Sequence, residues 1–237
     1  MSKPSALRAP PTNRLLAALS KNEYRELLPD LEQFPLIFGE QIYRPGALVR
    51  HVYFPTSGIV SLLADVDGGG TLEVGIVGRE GMAGMSVFMG VSTSPNRVLV
   101  QGGGFALRMK ATRLRSLTNN DGSLSRLLRR YSYSLWAQLS QSSVCNLYHP
   151  IDARLARWLL MTRDRMEANE FLITQEFLSS MLGVRREGVN KAAGKLQQQL
   201  LISYTRGTLT ILKPASLAAV ACRCYRIIKT EYDSQLS

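Results

Sequence analysis

The residue types that most often build metal centres and catalytic sites are scarce here, with three cysteines and two histidines in 237 residues. Cys145, Cys222 and Cys224 contain no CxxC pair and give no even disulfide framework, which excludes a small secreted fold held by disulfides and fits a reducing compartment. Three thiols are one short of a four-thiolate iron–sulfur cluster. Cys222 and Cys224 are expected on one helix, two residues apart, where their side chains diverge. His51 and His149 are read as separate structural histidines, so no metal is expected. Long apolar runs are missing as well. No stretch approaches the roughly 18 apolar residues of a membrane helix, and the first residues lack the apolar centre of a signal peptide. The expected setting is cytoplasmic, away from membranes. Catalytic signatures are equally absent. There is no GxSxG turn, and neither histidine accompanies a convincing Ser and Asp set. GVNKAAGK, Gly188 to Lys195, approaches a phosphate loop but has five residues between its glycines instead of four, and Leu196 replaces the hydroxyl residue that would hold magnesium. The chain is expected not to be an enzyme.

What the chain does have is an uneven surplus of positive charge. The net charge is +11, from 29 basic and 18 acidic residues. Up to Leu107 nine basic residues balance nine acidic ones; Arg108 to Arg130 holds seven basic residues and one acid, and the remainder thirteen against eight. A neutral first half joined to a basic second half points to a nucleic-acid partner for the second.

The stretch from Ile173 to Leu212 gives that partner a reader. Thr174 offers a hydroxyl N-cap to a short helix whose apolar residues Phe177, Leu178, Met181 and Leu182 recur at helical spacing. Gly183 ends it, because glycine accepts a left-handed backbone at little cost. A second helix begins near Val184 or Arg185, with Val189, Ala192, Ala193, Leu196 and Leu200 on one face. Arg185, Arg186, Glu187, Asn190 and Lys191 crowd its N-terminal end on the other. Arginine suits bidentate pairing with guanine, glutamate accepts from cytosine, and asparagine pairs with adenine. LLISYT and LTILK then read as a hairpin tipped by Arg206 and Gly207, a wing suited to phosphates. Helix, turn, helix and wing in that order make a winged helix-turn-helix. The plainer reading of the same residues is a helical hairpin with a solvated basic face.

These residues also carry a family resemblance. Ile173-Thr174-Gln175-Glu176, Leu182-Gly183-Val184, Arg186-Glu187 with Val189, Lys191 and Leu196, and Leu201-Ile202 resemble the DNA-binding domain of the Crp/Fnr transcription regulators, and the likeness extends over nearly the whole chain. It implies that Arg186 contacts guanine, that Glu187 reads the neighbouring pair, and that Lys191 stands where a base-contacting arginine is usual. Thr174, Gln175, Arg185, Asn190 and Arg206 complete the expected DNA-binding set. Gly188 departs from a common threonine, and Lys191 replaces a planar fork with a point charge.

Before this head, NRLLAALSKNEYRELLPDLE reads as two short helices, the second capped by Ser20. From about Phe34 short β-prone runs alternate with glycine, as in HVYFPTSG, TLEVGIVG and RVLVQGGG, the texture of a small antiparallel barrel or jelly roll. Asp121 to Asn146 then reads as a helix of about seven turns. Leu124, Leu128, Tyr131, Leu135, Gln138 and Ser142 alternate steps of four and three, the spacing of a two-stranded seam, and are expected to form a dimer interface. Leu127, Trp136 and Leu139 would widen the stripe so that one side packs on the β-roll. The fold class is therefore α+β: an N-terminal antiparallel β-roll of cyclic-nucleotide-binding type, a long dimerisation helix and a C-terminal winged helix-turn-helix. The expected divisions are a sensor over 1–120, the helix over 121–149 and the DNA-binding domain over 150–237, with Pro214 opening one last helix to about Tyr232.

In family members that bind cyclic nucleotides, a Gly-Glu pair takes the ribose and an Arg-Ser or Arg-Thr pair the cyclic phosphate. Glu80 and Arg97 stand at the corresponding places, but Arg79 crowds the acid and Val98 replaces the hydroxyl residue. The match is imperfect, and no cofactor is expected. The function expected is a homodimeric, sequence-specific regulator of the Crp/Fnr type that binds a palindromic duplex and, by resemblance, meets RNA polymerase. Its rival is a ligand-binding or interaction module that touches nucleic acid only non-specifically.

Overall fold

Local capping chemistry shapes the first two described helices. The computed structural model describes residues 12–68 and 70–235; residues 1–11, whose three prolines are expected to give a loose tail, and part of Asp67-Gly68-Gly69-Gly70, expected as a hairpin tip, lie outside the described residues. Asn13 caps α1 (Arg14–Ala17), accepting from the Leu16 N–H at 3.3 Å. Ser20 and Glu23 form a reciprocal capping box on α2 (Lys21–Leu27). The buried Asn13 amide also donates to the carbonyls of Pro55 and Gly81, at 3.0 and 2.8 Å.

Seven strands follow: β1 (Glu32–Leu36), β2 (Gln41–Tyr43), β3 (His51–Pro55), β4 (Ile59–Val66), β5 (Gly70–Val77), β6 (Arg97–Gly102) and β7 (Gly104–Lys110). They form two antiparallel sheets, ordered β1-β7-β3 and β2-β6-β4-β5. Pro35 and Pro55 both fall on the edge strands of the first sheet, where a missing N–H leaves no ladder bond unmade. Val52 and Phe54, opposite Met109 and Leu107, are fully buried. Two short helices that the sequence reading left out, α3 (Met85–Phe88) and α4 (Ala111–Thr118), flank β6 and β7 in the chain.

The long helix α5 spans Ser123–Tyr148. Leu124, Leu128, Tyr131, Leu135, Gln138 and Ser142, expected at a dimer seam, are all buried within the single chain. Tyr131 lies so close to Gly81 that a Cβ there would fall 2.2 Å from the phenol oxygen. The exposed row is Tyr133, Trp136, Val144 and Leu147, and Trp136, expected against the β-roll, is 64% exposed. Apolar residues thus lie at helical spacing on more than one face of α5, and periodicity alone does not say which face meets the chain's own core.

After α5 come α6 (Ile151–Met166), β8 (Glu170–Leu172), α7 (Gln175–Leu182), α8 (Arg186–Gln198), β9 (Ile202–Thr205), β10 (Thr208–Ile211), α9 (Pro214–Val220) and α10 (Cys224–Gln235). The last helix expected from Pro214 is thus two helices, broken at Ala221, whose backbone is extended at φ −65° and ψ 149°. Trp158, Leu159, Leu178, Val189, Leu196 and Leu209 are among the buried residues of this half. The described residues form two compact units, one within Met1–Leu62, Ile76–Leu135 and Tyr232–Ser237, the other within Leu63–Gly75 and Trp136–Glu231, so their limit falls inside α5. Among the described residues no helix is long and apolar enough to cross a membrane.

Candidate nucleic-acid interface

The Thr174 hydroxyl accepts from the Phe177 N–H at 3.1 Å and opens α7. Gly183 closes it in the left-handed region, φ 61°, with its N–H returned to the last turn. Two residues later Arg185, in extended backbone, is the N-cap position of α8. Chain direction therefore turns within three residues, and α7 and α8 pack on each other and on α6.

Burial splits α8 cleanly. Val189, Ala192, Ala193 and Leu196 are buried, whereas Arg186, Glu187, Asn190 and Lys191 are exposed, as is Arg185 before them. Positions 186 and 190, and 187 and 191, are each one helical turn apart, so these side chains share the open face near the helix start. Glu187 in the first turn complements the helix dipole. Gly188 allows a close approach, since a Cβ there would lie 3.0 Å from Ile151 Cδ1. A threonine there would need the end of the Ile151 side chain to give by a few tenths of an ångström. Farther along, Lys195 is engaged by the carboxylate of Asp152.

The wing is a three-stranded antiparallel sheet ordered β8-β10-β9. The sequence reading missed β8, whose only signal was the short apolar pair Phe171-Leu172. Arg206 and Gly207 make its tip, with Thr205 and Thr208 paired across the turn. Both tip residues have positive φ, 52° and 83°, the sign pattern of a two-residue hairpin turn. For arginine this conformation is strained, by about 1–2 kcal/mol, and the strain is held at an exposed guanidinium. The tip is tied down at its base, where the Tyr204 hydroxyl donates to the Ile173 carbonyl at 2.8 Å and the Ile173 N–H donates to the Gly207 carbonyl at 2.7 Å. Burial raises the Tyr204 pKa, which keeps that hydroxyl protonated.

Thr174, Gln175, Arg186 and Arg206 are brought together, with Glu176, Tyr204 and Gly207, around one open concavity of about 540 Å³. Arg186, which is exposed, donates from Nε to the Gln175 side-chain oxygen at 3.3 Å. Arg185, Glu187, Asn190 and Lys191 lie beyond it on α8. Glu176 and Tyr204 were not singled out in the sequence; the hydroxyl-bearing aromatic in LLISYT was the available signal.

The other expected pocket has a different character. Glu80, in the loop after β5, is buried and accepts the Gly78 N–H at 3.1 Å, a bond within its own loop. Arg97 begins β6 and is half-buried. The neighbouring Val98 is 2% exposed, an apolar group where a phosphate-binding hydroxyl would stand.

Comparison with known proteins follows the same outline. Residues 153–220 match the family of the Crp-like helix-turn-helix domain. A Crp/Fnr-family putative transcriptional regulator of Eubacterium rectale superposes with a TM-score of 0.66 at 17% identity, over 87% of this chain and 96% of that one. FixK2 of Bradyrhizobium japonicum gives 0.68 at 15%, over 81% and 98%. The c-di-GMP responsive global regulator CLP of Xanthomonas campestris gives 0.61 at 21%, over 81% and 99%. No curated sequence matches. The chain thus has the fold of the Crp/Fnr regulators. Within that fold, residues 153–220 are similar to the Crp-like helix-turn-helix domain.

Proposed function

We propose that the chain acts as a homodimer that places α8 of each copy in the major groove of a palindromic duplex and rests each wing on the adjoining phosphates. The observation that carries this reading is the split face of α8. Its buried side anchors the helix, while Arg185, Arg186, Glu187, Asn190 and Lys191 stand exposed at the end that would enter the groove, beside Arg206 at the wing tip. N-terminal residues of the second helix reach base edges in this docking mode, and half-sites lie about 34 Å apart. The exposed Tyr133, Trp136, Val144 and Leu147 row of α5 supplies the apolar face along which two copies would pair. RNA polymerase is the further partner of such a regulator. Catalysis plays no part, and no membrane is involved.

The test begins with selection of bound sequences from random duplex DNA. Against the selected palindrome, Arg186→Ala should cost about 1–3 kcal/mol and relax preference at one position of each half-site. If the wild type binds that palindrome no better than random duplex at matched salt, the proposal fails and non-specific contact by an interaction module takes its place. The sensor half is proposed to work without a cyclic nucleotide, because the Glu80 carboxylate is engaged by Gly78 and Val98 offers no hydroxyl. Micromolar heat with cyclic AMP or cyclic GMP in isothermal titration, abolished by Arg97→Ala, would overturn that part.

A further inference from the structure

Four potential ligands that are far apart in the sequence converge at the two ends of the helix-turn-helix segment. Cys145 and His149 stand four residues apart at the end of α5, where the His149 N–H donates to the Cys145 carbonyl at 3.2 Å and keeps both side chains on one helix face. Cys222 and Cys224 come from the break between α9 and α10, which removes the divergence expected of a continuous helix. Cys145 Sγ lies 3.4 Å from Cys222 Sγ, and Cys224 Sγ lies 3.4 Å from His149 Nδ1. All four ligand atoms lie within 4.8 Å of one another. The three thiols are buried and His149 is half-buried.

These distances suit a single tetrahedral ion. Metal–sulfur and metal–nitrogen bonds of about 2.3 and 2.0–2.1 Å set ligand-to-ligand edges of roughly 3.6–3.8 Å. The observed separations enclose that range, so shifts of a few tenths of an ångström close the shell. An iron–sulfur cluster, with thiolates on different irons, would need a wider set.

A second observation points the same way. Arg154 and Arg157 are 6% and 4% exposed, and neither pairs with a carboxylate among the described residues. Arg154 donates to the Asn146 side-chain oxygen at 3.0 Å and to the Leu182 carbonyl, while Arg157 reaches only Met161 Sδ at 3.4 Å. The Nε of each has no partner. Buried guanidinium groups without a counter-charge are strongly disfavoured. Both are within electrostatic reach of the thiols: Arg157 acts on Cys145, and Cys145 and Cys222 act on Arg154. Three thiolates and a neutral imidazole around a dication carry a single negative charge, which places a counter-charge near the two arginines and offsets part of their burial cost. Gln141 adds a hydrogen bond from Nε2 to Cys224 Sγ at 3.1 Å, the kind of outer contact that holds a coordinated thiolate.

We propose that Cys145, His149 through Nδ1, Cys222 and Cys224 bind one mononuclear zinc(II)-class cation. Binding releases the thiol protons to solvent and requires no oxidant or reductant. The two ligand pairs bracket residues 153–220, so the ion closes the base of the DNA-binding head, joining the chain where the head begins to where it ends.

The experiment uses the full chain, purified with reductant, loaded with zinc and desalted, with bound metal measured by mass spectrometry. About one zinc per chain is expected. Cobalt(II) in its place should show thiolate-to-cobalt charge transfer and the intense d–d bands of tetrahedral sites. In competition with a chromophoric chelator, Cys224→Ser and His149→Ala should each weaken zinc binding by at least about 100-fold, and Gln141→Leu by about 10-fold. Circular dichroism checks that each variant is folded; if Cys224→Ser is not, the wild-type cobalt spectrum and Gln141→Leu decide. No retained zinc in the reduced wild type, a weak octahedral cobalt spectrum, or unchanged affinity in folded His149→Ala overturns the site. So does a Cys145–Cys222 disulfide in chain prepared without reductant, when the reduced form also binds no metal.

Discussion

Trp136 offers a direct test of how two copies would meet. A tryptophan presents up to about 250 Å², so its 64% exposure leaves roughly 160 Å² of mostly apolar surface on α5. At about 25 cal/mol per Å², covering all of it is worth about 4 kcal/mol per copy. A seam that covers half of that area on each of two symmetry-related helices contributes about 4 kcal/mol to the dimer. Trp136→Ala should then raise the dimer Kd about a thousandfold, since each 1.4 kcal/mol is tenfold. Sedimentation equilibrium over a wide concentration range reads this directly. The buried row supplies the contrast. Leu128 is fully buried, so Leu128→Ala should cost about 2–5 kcal/mol of folding stability in thermal melts at fixed concentration. The reasoning is refuted if Trp136→Ala changes the Kd by less than threefold while Leu128→Ala dissociates an otherwise intact dimer. That outcome would return the seam to the row first expected.

Two further predictions concern the head. Thr174→Ala removes the hydroxyl that accepts the Phe177 N–H and should lower stability in chemical denaturation by about 1 kcal/mol, with Thr174→Ser restoring most of it. Asp152, whose hydrogen bond from Lys195 holds its pKa below the ordinary 3.8, should contribute stability that is fully present above that value and lost as pH falls through the depressed one. Lys195→Gln should therefore cost at most about 1 kcal/mol at neutral pH, because the pair is partly exposed. The gap from wild type should close in strongly acidic buffer, and a gap that widens there would contradict the pairing.

How legible each part was depends on how local its cause is. The α7–turn–α8 segment could be read because an N-cap hydroxyl, a left-handed glycine and an apolar period each act within a few residues. The β-roll was readable for a similar reason, through short runs punctuated by glycine. The choice between the two rows of α5 is not local: it depends on which side chains the same chain's other elements cover. The break at Ala221 was hidden more deeply. VACRCYR contains neither glycine nor proline, so nothing in the letters stops a helix there, and the convergence of Cys222 and Cys224 with Cys145 and His149 follows from that break. Glu80 shows the converse, since its letter matched a family position while its carboxylate is engaged by its own loop.

The charge surplus is where sequence and structure differ in a way that can be measured. Thirteen cations after residue 130 suggested a strongly basic DNA face. Three of them, Arg154, Arg157 and Arg165, are buried, and Lys195 faces Asp152. On α8 and the wing tip only Arg185, Arg186, Lys191 and Arg206 remain exposed toward a duplex. Each neutralised phosphate contributes about −0.9 to the slope of log K against log salt, so four cations give at most about −3.6 per head and roughly −7 for a dimer. Fluorescence anisotropy of a labelled palindrome at several salt concentrations measures this slope. Arg206→Ala in both copies should make it shallower by about two, because each head would lose one phosphate contact. A wild-type slope steeper than about −10 would mean that cations outside α8 and the wing, such as Arg223 and Arg226 around the start of α10, also reach the backbone. The two faces of the head would then share the electrostatic part of binding, and the docking geometry drawn from α8 alone would be wrong.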